Sequence, residues 1–407
     1  MKVLHCSDIH LGKRPVGGVG DFSNKRYEDY FKSFEYIVDT ACKEKVDVFM
    51  IAGDFFDKRI INPEILEKTE KILEKLKENS IKVLIIEGNH DNIIKGSEEN
   101  SWIVYLEKKG LFKRLTFNVS YEGEEKNFEF DSIKIDDVNF YGLGYPGILV
   151  NEAMEELSKI INPNEKNIVI VHTAISSGDF LPGTIEKEII DKFQGKVMYI
   201  AGGHFHSYIT YPKENPIFFI PGASEYWNIK SEINRKKGFI IFDTETKDYK
   251  FYDSKVRHSI ILDIKVSSDK KEDIFFQIEK EKNNIDIIEN ETLLFVNIYL
   301  EKNIFLNINE IEKIFEEENP LKIFINIKYK NRLEDISIDR ENMSNIYEIE
   351  KEVIKNSWDK FKENSEIVVE TLNNLKIYQQ DKDKERFFEV FDHFVDKLIS
   401  GDNNENK

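Results

Sequence analysis

Cysteine is nearly absent from this chain: among 407 residues only Cys6 and Cys42 carry a thiol. A disulfide framework and a thiolate metal site are therefore not implied. Long apolar runs are absent too. None approaches the roughly 18 residues needed to span a bilayer, so no membrane span is expected. Met1-Lys2-Val3-Leu4 leads into the first motif without a charged-then-apolar leader, and a cytoplasmic protein is expected. Internal repeats and low-complexity blocks are lacking. Gly17-Gly18-Val19-Gly20 lacks the Gly-Lys-Ser/Thr ending of a phosphate loop, so any ATP hydrolysis is expected from another chain. Positive charge is also in deficit, with 58 Lys and Arg against 76 Asp and Glu and a net charge of −18. Such a surface repels a phosphate backbone. Cations do gather locally, at Lys230, Arg235, Lys236, Lys237, Lys255 and Arg257, and again at Lys322, Lys328, Lys330 and Arg332. Ordinary solvated lysines are the competing reading.

What is present is a core. Hydrophobic residues make up 40% of the chain and aromatics 12%, with 30 Phe, which argues against disorder. The length predicts two or three domains. Apolar runs at Val3–Cys6, Val48–Ile51, Val83–Ile86, Ile168–Val171 and Val197–Ile200 read as strands buried on both faces. Helical patterns lie between them, at Tyr27–Lys43 and Glu64–Glu78. The alternation predicts an α/β sheet with its site at the carboxyl ends of the strands. Further strand-like sequence at 127–145, 217–220, 239–242 and 249–252 is expected to build a second sheet, the last two runs as a hairpin. The first domain is placed at 1–255. Alternating and helical patterns over 256–335 predict a small α+β domain without ligand motifs. The tail, 336–407, reads as helical at Glu348–Lys362 and Lys384–Ile399, frayed from Gly401. The second of these helices carries an aromatic stripe, Phe387, Phe388, Phe391 and Phe394. That stripe either packs on its own domain or docks on a partner.

Five of the eight histidines share one pattern. Asp8-Ile9-His10, Gly53-Asp54, Gly88-Asn89-His90-Asp91, Val171-His172-Thr173 and Gly203-His204-Phe205-His206 each follow an apolar run. Hydrolysing a phosphate ester at neutral pH needs charge neutralisation and a hydroxide, which two metals about 3.5–4 Å apart supply. A carboxylate must bridge them, and Asp54 is the natural candidate. Asp8 and His10 can face one metal from a strand end, while His204 and His206 can each reach a different one. Oxygen and imidazole ligands without thiolate suit Mn²⁺ or Fe²⁺. The glycines ahead of the ligands permit close backbone approach. Singly these signals are weak; in order they point to a two-metal centre. His5 is expected to be a buried structural histidine, His258 and His393 structural or surface residues. Tyr226 and Trp227 are expected to pack, with stacking on a substrate base as the rival.

The ordered set over residues 1–255 resembles the calcineurin-like metallophosphoesterase superfamily. The resemblance implies two packed mixed sheets flanked by helices. It implies Asp8, His10, Asp54 and His206 around one divalent metal, and Asp54, Asn89, His172 and His204 around the other, with Mn²⁺ expected. His90 would contact the scissile phosphate and protonate the leaving oxygen. Leu4-His5-Cys6-Ser7-Asp8-Ile9-His10-Leu11-Gly12, Ala52-Gly53-Asp54-Phe55-Phe56-Asp57, Pro221-Gly222-Ala223-Ser224-Glu225 and Lys237-Gly238-Phe239 resemble, more narrowly, SbcD-type double-strand-break repair nucleases. That likeness implies a capping domain after the phosphoesterase domain, a homodimer, DNA ends or hairpins as substrate, and an SMC-like coiled-coil ATPase docked on the C-terminal helices. Archaeal and eukaryotic members carry His where this chain has Asp57, and bacterial members often carry Asp. Asp57 and Asp91 are therefore expected behind the ligands rather than among them. The rival readings are a phosphoesterase for a small molecule or phosphoprotein, and a non-catalytic scaffold of the same fold.

Overall fold

Alternate side chains of the early strands feed two different cores, and this sets the architecture. In the computed structural model, β1 (Lys2–Cys6) sends Leu4 and Cys6 to one face and Val3 to the other. β2 (Val48–Ala52) sends Phe49 and Ile51 one way and Val48, Met50 and Ala52 the other. β3 (Lys82–Ile86) repeats the division. A strand with both faces buried reads as an unbroken apolar run, as the sequence had it. The structure describes residues 1–15, 20–91, 101–123, 125–176, 183–268, 270–301, 304, 306–329, 351, 354, 365–380, 386–391 and 393–394.

The helix-side core is closed by α1 (Asp21–Glu44), α2 (Pro63–Glu78) and α3 (Trp102–Lys108). α2 starts where Asn62 accepts a hydrogen bond from the Ile65 amide at 2.9 Å and Pro63 follows with its φ preset. α1 begins six residues before the expected Tyr27. Its first turns bury the polar Ser23 and Arg26, which an apolar stripe does not reveal. After β4 (Lys113–Arg114), the chain lays down β5 (Phe117–Glu122), β6 (Glu125–Ile135) and β7 (Val138–Gly142). α4 (Val150–Ile160), β8 (Lys166–Ile170), the short β9 (Ala174–Ile175) and β10 (Thr184–Ile185), and α5 (Lys187–Asp191) come next. β11 (Tyr199–Ala201), β12 (Ile209–Tyr211), β13 (Phe218–Ile220), α6 (Ile229–Glu232), β14 (Gly238–Asp243) and β15 (Tyr249–Asp253) complete this part.

Two mixed sheets result, ordered β15-β14-β1-β2-β3-β4 and β12-β13-β11-β8-β7-β6-β5. Phe140, Ile168, Ile170, Tyr199, Ala201 and Phe219 of the second meet Val3, Val48, Met50 and Leu84 of the first in the core between them. α4 and α5 cover the outer face of the second sheet with Val150, Met154, Leu157 and Ile190. The fold is thus two packed mixed sheets flanked by helices, as expected. One assignment needs correction. The β14–β15 hairpin does not join the second sheet; β14 pairs antiparallel with β1, Leu4 opposite Ile241. Its alternation explains the choice: Phe239 and Ile241 face the helices, while Ile240 and Phe242 face the inter-sheet core.

Beyond this lie β16 (Ser259–Val266), α7 (Lys271–Lys282), β17 (Leu293–Leu300), α8 (Ile308–Ile314) and β18 (Lys322–Tyr329), with the sheet ordered β16-β17-β18. The chain divides into two compact units, one of Met1–Leu262, Ile285–Phe295 and Glu312–Phe324, the other of Asp263–Asn284, Val296–Ile311 and the chain from Ile325. In the tail, α9 (Ser365–Gln380) was not anticipated; its Val368 and Val369 cluster with Ile354 and Phe394. Of the two expected tail helices, only Lys351 and Ile354 of the first and 386–391 and 393–394 of the second fall within the described residues. Lys330, Arg332, 401–407 and most of the Gly17–Gly20 stretch lie outside them. Among the described residues no helix is long and apolar enough to cross a membrane.

Candidate metal centre

The loops leaving β1, β2, β3, β8 and β11 meet at one edge of the two sheets. The first two zip together beyond their strands: the Asp8, His10 and Leu11 amides donate to the carbonyls of Gly53, Asp54 and Phe55 at 3.1, 3.0 and 2.9 Å. Asp8, His10, Asp54 and His204 all have positive φ, between 51° and 77°. Non-glycine residues rarely adopt that conformation, which costs about 1–3 kcal/mol each. Close approach demands glycine between them. A Cβ on Gly88 would lie 2.1 Å from Asp54 Oδ1, and one on Gly203 would lie 2.8 Å from His172 Nδ1.

All seven side chains expected as ligands converge here. Asp8 is fully buried; its Oδ2 accepts from the Ser7 hydroxyl at 2.6 Å and its Oδ1 from the His204 amide at 3.0 Å. Asp54 Oδ1 accepts from the His90 amide at 2.8 Å, and its Oδ2 lies 3.4 Å from His172 Nε2 and 3.7 Å from His10 Nε2. Asn89 Oδ1 sits 3.1 Å from His172 Nε2 and 2.9 Å from His204 Nδ1. The ligand atoms of Asp8, His10 and His206 lie within 4.8 Å of one another, as do those of Asp8, Asp54 and His172.

The donor set fits divalent cations on its own chemistry. His172 Nδ1 must donate to the Ala52 carbonyl, 2.8 Å away, which turns Nε2 toward the oxygens of Asp54 and Asn89. His206 Nδ1 donates to Glu232 at 2.8 Å, so its Nε2 confronts His10 Nε2 at 3.2 Å. The Nε2 atoms of His10 and His206 thus crowd one another, and that of His172 crowds the oxygens of Asp54 and Asn89, an arrangement a cation satisfies. Titration reflects the same crowding. Burial alone would lower the His172 pKa, yet the Asp54 charge holds it up at about 9. Burial works to raise Asp54, but His172 and His10 hold it well below the usual carboxylate range. Burial drives His10 well below its ordinary value.

His90 stands beside the set, its ring 4.8 Å from that of His10 and its Nδ1 donating to the Asp57 carbonyl at 2.9 Å. Among the described residues Asp91 binds backbone: its carboxylate accepts from the amides of Phe55 at 2.6 Å, Phe56 at 3.3 Å and Gly88 at 2.5 Å. It pins the β3 loop to the β2 loop. Burial, with Asp54 nearby, lifts its pKa to about 7. Asp57 Oδ1 accepts from Trp227 Nε1 at 3.1 Å and lies 3.7 Å from His10 Nδ1.

Sequence reasoning missed Glu232, and it read Lys237 as a member of a cationic cluster and a motif rather than as Glu232's partner. The Glu232 carboxylate holds His206, the Trp227 amide at 3.1 Å and the Asn228 amide at 3.2 Å, and it pairs with buried Lys237. Burial pushes its pKa up, but His206 and Lys237 hold it at about 2. No spacing announces the pair, because His206 lies 26 residues from Glu232. Lys237 and Arg257 are therefore not solvated cations of a basic patch. Both are buried, and Arg257 pairs with Asp29 and Glu291. Trp227 does pack, but on the site itself, against the rings of His10, His90 and His206. Tyr145, also unforeseen, lies 5.6 Å from the His204 ring and 5.9 Å from that of His172. His5 is buried as expected, bonded to the Tyr199 hydroxyl at 2.9 Å and the Gly202 carbonyl at 3.0 Å.

Residues 1–208 match the calcineurin-like phosphoesterase family. Several curated proteins named DNA double-strand break repair protein Mre11 are similar to the chain. That of Sulfolobus acidocaldarius is 29% identical over 297 residues, 70% of this chain and 72% of its own length. That of Methanococcus maripaludis is 27% identical over 353 residues, 78% of this chain and 90% of its own. That of Methanosarcina acetivorans is 25% identical over 325 residues, 79% of this chain; the chain spans only 49% of that relative. The resemblance read from the motifs is borne out.

Proposed function

This chain belongs to the calcineurin-like phosphoesterase family, and from that premise we propose that it is a metal-dependent DNA nuclease hydrolysing phosphodiester bonds at DNA ends or hairpins. The observation that carries the reading is the convergence of Asp8, His10, Asp54, Asn89, His172, His204 and His206 with His90 alongside. The names of the similar proteins favour DNA repair as the setting.

In this reading Asp8, His10, Asp54 and His206 would hold one divalent ion, and Asp54, Asn89, His172 and His204 a second. Mn²⁺ suits these oxygen and imidazole ligands. Two such ions would neutralise the phosphate and supply a hydroxide near neutral pH. The chain does the rest. Asp54, common to both sets, lies between them, its Oδ2 3.4 Å from His172 Nε2 and 3.7 Å from His10 Nε2. The Ala52 carbonyl and the Glu232 carboxylate fix the tautomers of His172 and His206, so that each presents Nε2. His90 donates through Nδ1 to Asp57, which leaves Nε2 to meet the scissile phosphate. In its imidazolium form that nitrogen hands a proton to the leaving oxygen.

The partner in this reading is an SMC-like coiled-coil ATPase docked on the C-terminal helices, with the complex acting as a homodimer in the cytoplasm. The exposure of Phe388 and Phe391 supports such docking. The deciding experiment incubates Mn²⁺-loaded protein with end-labelled duplex and hairpin DNA, alone and with that ATPase. Cleavage at the ends is expected. If p-nitrophenyl phosphate esters are cut while DNA ends stay intact even with the ATPase, the chain is a phosphoesterase for another substrate. If metal binds and nothing is cut, it is a scaffold.

A further inference from the structure

We propose that Lys13 binds a phosphate oxygen of the substrate at the edge of the metal centre. This rests on the phosphodiesterase reading above and deepens it. Lys13 lies on the turn that leaves the first ligand pair, its amide donating to the His10 carbonyl at 3.1 Å. Its ammonium is placed by two neighbours. Nζ is 3.3 Å from Asp57 Oδ1 and 3.8 Å from the centre of the Trp227 ring. Trp227 is fixed in turn by Asp57, through the hydrogen bond from Nε1 to Oδ1. The same ring stands 6.0, 5.9 and 5.7 Å from the rings of His10, His90 and His206. Lys13 is thereby held on a platform that rests on the centre.

An ammonium carries three donors. Asp57 engages one, and the π face attracts the charge without consuming a donor. The Lys13 side chain is 15% exposed, so donors remain for an incoming group. Two other nearby cations differ. Lys237 is 2% exposed and bound to both Glu232 and the His206 carbonyl. Arg14 donates to Ser23 and Asn24 and lies over the Tyr27 ring. Carboxylates crowd the centre, Asp8 and Asp54 within the set and Asp57, Asp91 and Glu232 around it, and they repel a phosphodiester that extends past the metals. A cation at that margin answers the repulsion. Asp57 then has a role that does not depend on a histidine at its position: it orients Lys13 and Trp227 with its carboxylate and His90 with its carbonyl.

The bland reading is that Lys13 only neutralises Asp57. The two are separated by comparing Mn²⁺-loaded wild type, Lys13→Met and Lys13→Arg in three measurements. Binding of a fluorescent single-stranded oligonucleotide is followed by anisotropy across a salt series. Turnover of bis(p-nitrophenyl) phosphate gives KM and kcat, and bound metal is counted by elemental analysis. Lys13→Met is expected to flatten the slope of log Kd against log salt by about 0.7, the signature of one lost phosphate contact on a single strand. It should raise KM about tenfold, as for one lost charge-assisted contact, with kcat and metal content kept. Lys13→Arg should retain the slope and KM. The proposal is overturned if Lys13→Met leaves slope and KM unchanged, or if it loses metal or thermal stability in step with activity. A wild type that cleaves the diester but ignores the oligonucleotide removes the nuclease reading and leaves Lys13 to be judged on KM. A wild type that does neither with metal bound sinks both.

Discussion

His206 donates through Nδ1 to the Glu232 carboxylate at 2.8 Å, and that one bond decides which nitrogen the ring offers to the centre. Glu232 ends α6, and its carboxylate also accepts from the Trp227 and Asn228 amides and the buried Lys237. Carboxylate–histidine pairs of this kind orient the ligand and raise its basicity. Replacing Glu232 with Gln keeps the shape but removes the charge and leaves Lys237 buried opposite a neutral amide. Metal affinity is expected to fall about 10–100-fold. Titration calorimetry with Mn²⁺ checks it, and unchanged affinity would show that His206 is not a ligand.

His90 separates chemistry from binding. Its amide bonds Asp54 and its ring bonds Asp57, so the backbone contact survives removal of the side chain. His90→Ala is expected to lower kcat by about 10²–10⁴, the usual worth of a general acid, with metal content intact. Elemental analysis beside the turnover assay decides it. Metal lost along with activity would make His90 a ligand.

Gly88 is required by space rather than by φ. Its Cβ would meet Asp54 Oδ1 at 2.1 Å and the Asp54 amide at 2.2 Å. Neither neighbour can yield, because Asp54 is held by the His90 amide and its loop is zipped to that of β1. Gly88→Ala should therefore displace Asp54 and release bound metal while the sheets stay folded. Circular dichroism and metal content measured together test this; retention of metal at wild-type affinity would contradict it.

The candidate ligands were legible because each lies within a few residues of a strand's end. A run such as Val48–Ala52, buried on both faces, ends at a fixed sheet edge, and the polar residues of the loop that follows are delivered there. Asp8, Asp54, His172 and His204 all follow that rule. What supports them did not. Glu232 reaches His206 across 26 residues, and Trp227 reaches Asp57 across 170. Such contacts depend on how loops pack, which no local period encodes. The β14–β15 hairpin was legible as a hairpin, but its sheet was not. Alternating apolar residues say that two faces are buried, not which neighbour lies alongside.

The aromatic stripe near the C-terminus divides in a way that makes docking testable. Phe394 packs with Ile354, Val368 and Val369. Phe388 and Phe391, on the same helical stretch, remain 59% and 46% exposed. Large apolar side chains left outside a chain's own core are what a helix-in-groove or coiled-coil contact uses. Because they are exposed, changing both to Asp should alter the stability of the isolated chain only slightly, within about 0.5 kcal/mol each. Binding to the proposed coiled-coil ATPase, by contrast, should be lost, since each charge would have to be desolvated at the contact. Co-purification with the ATPase, thermal melting and metal content measured on the double variant separate the outcomes. Undiminished binding would move the docking surface elsewhere, and a collapse in melting temperature would return these two side chains to the chain's own core.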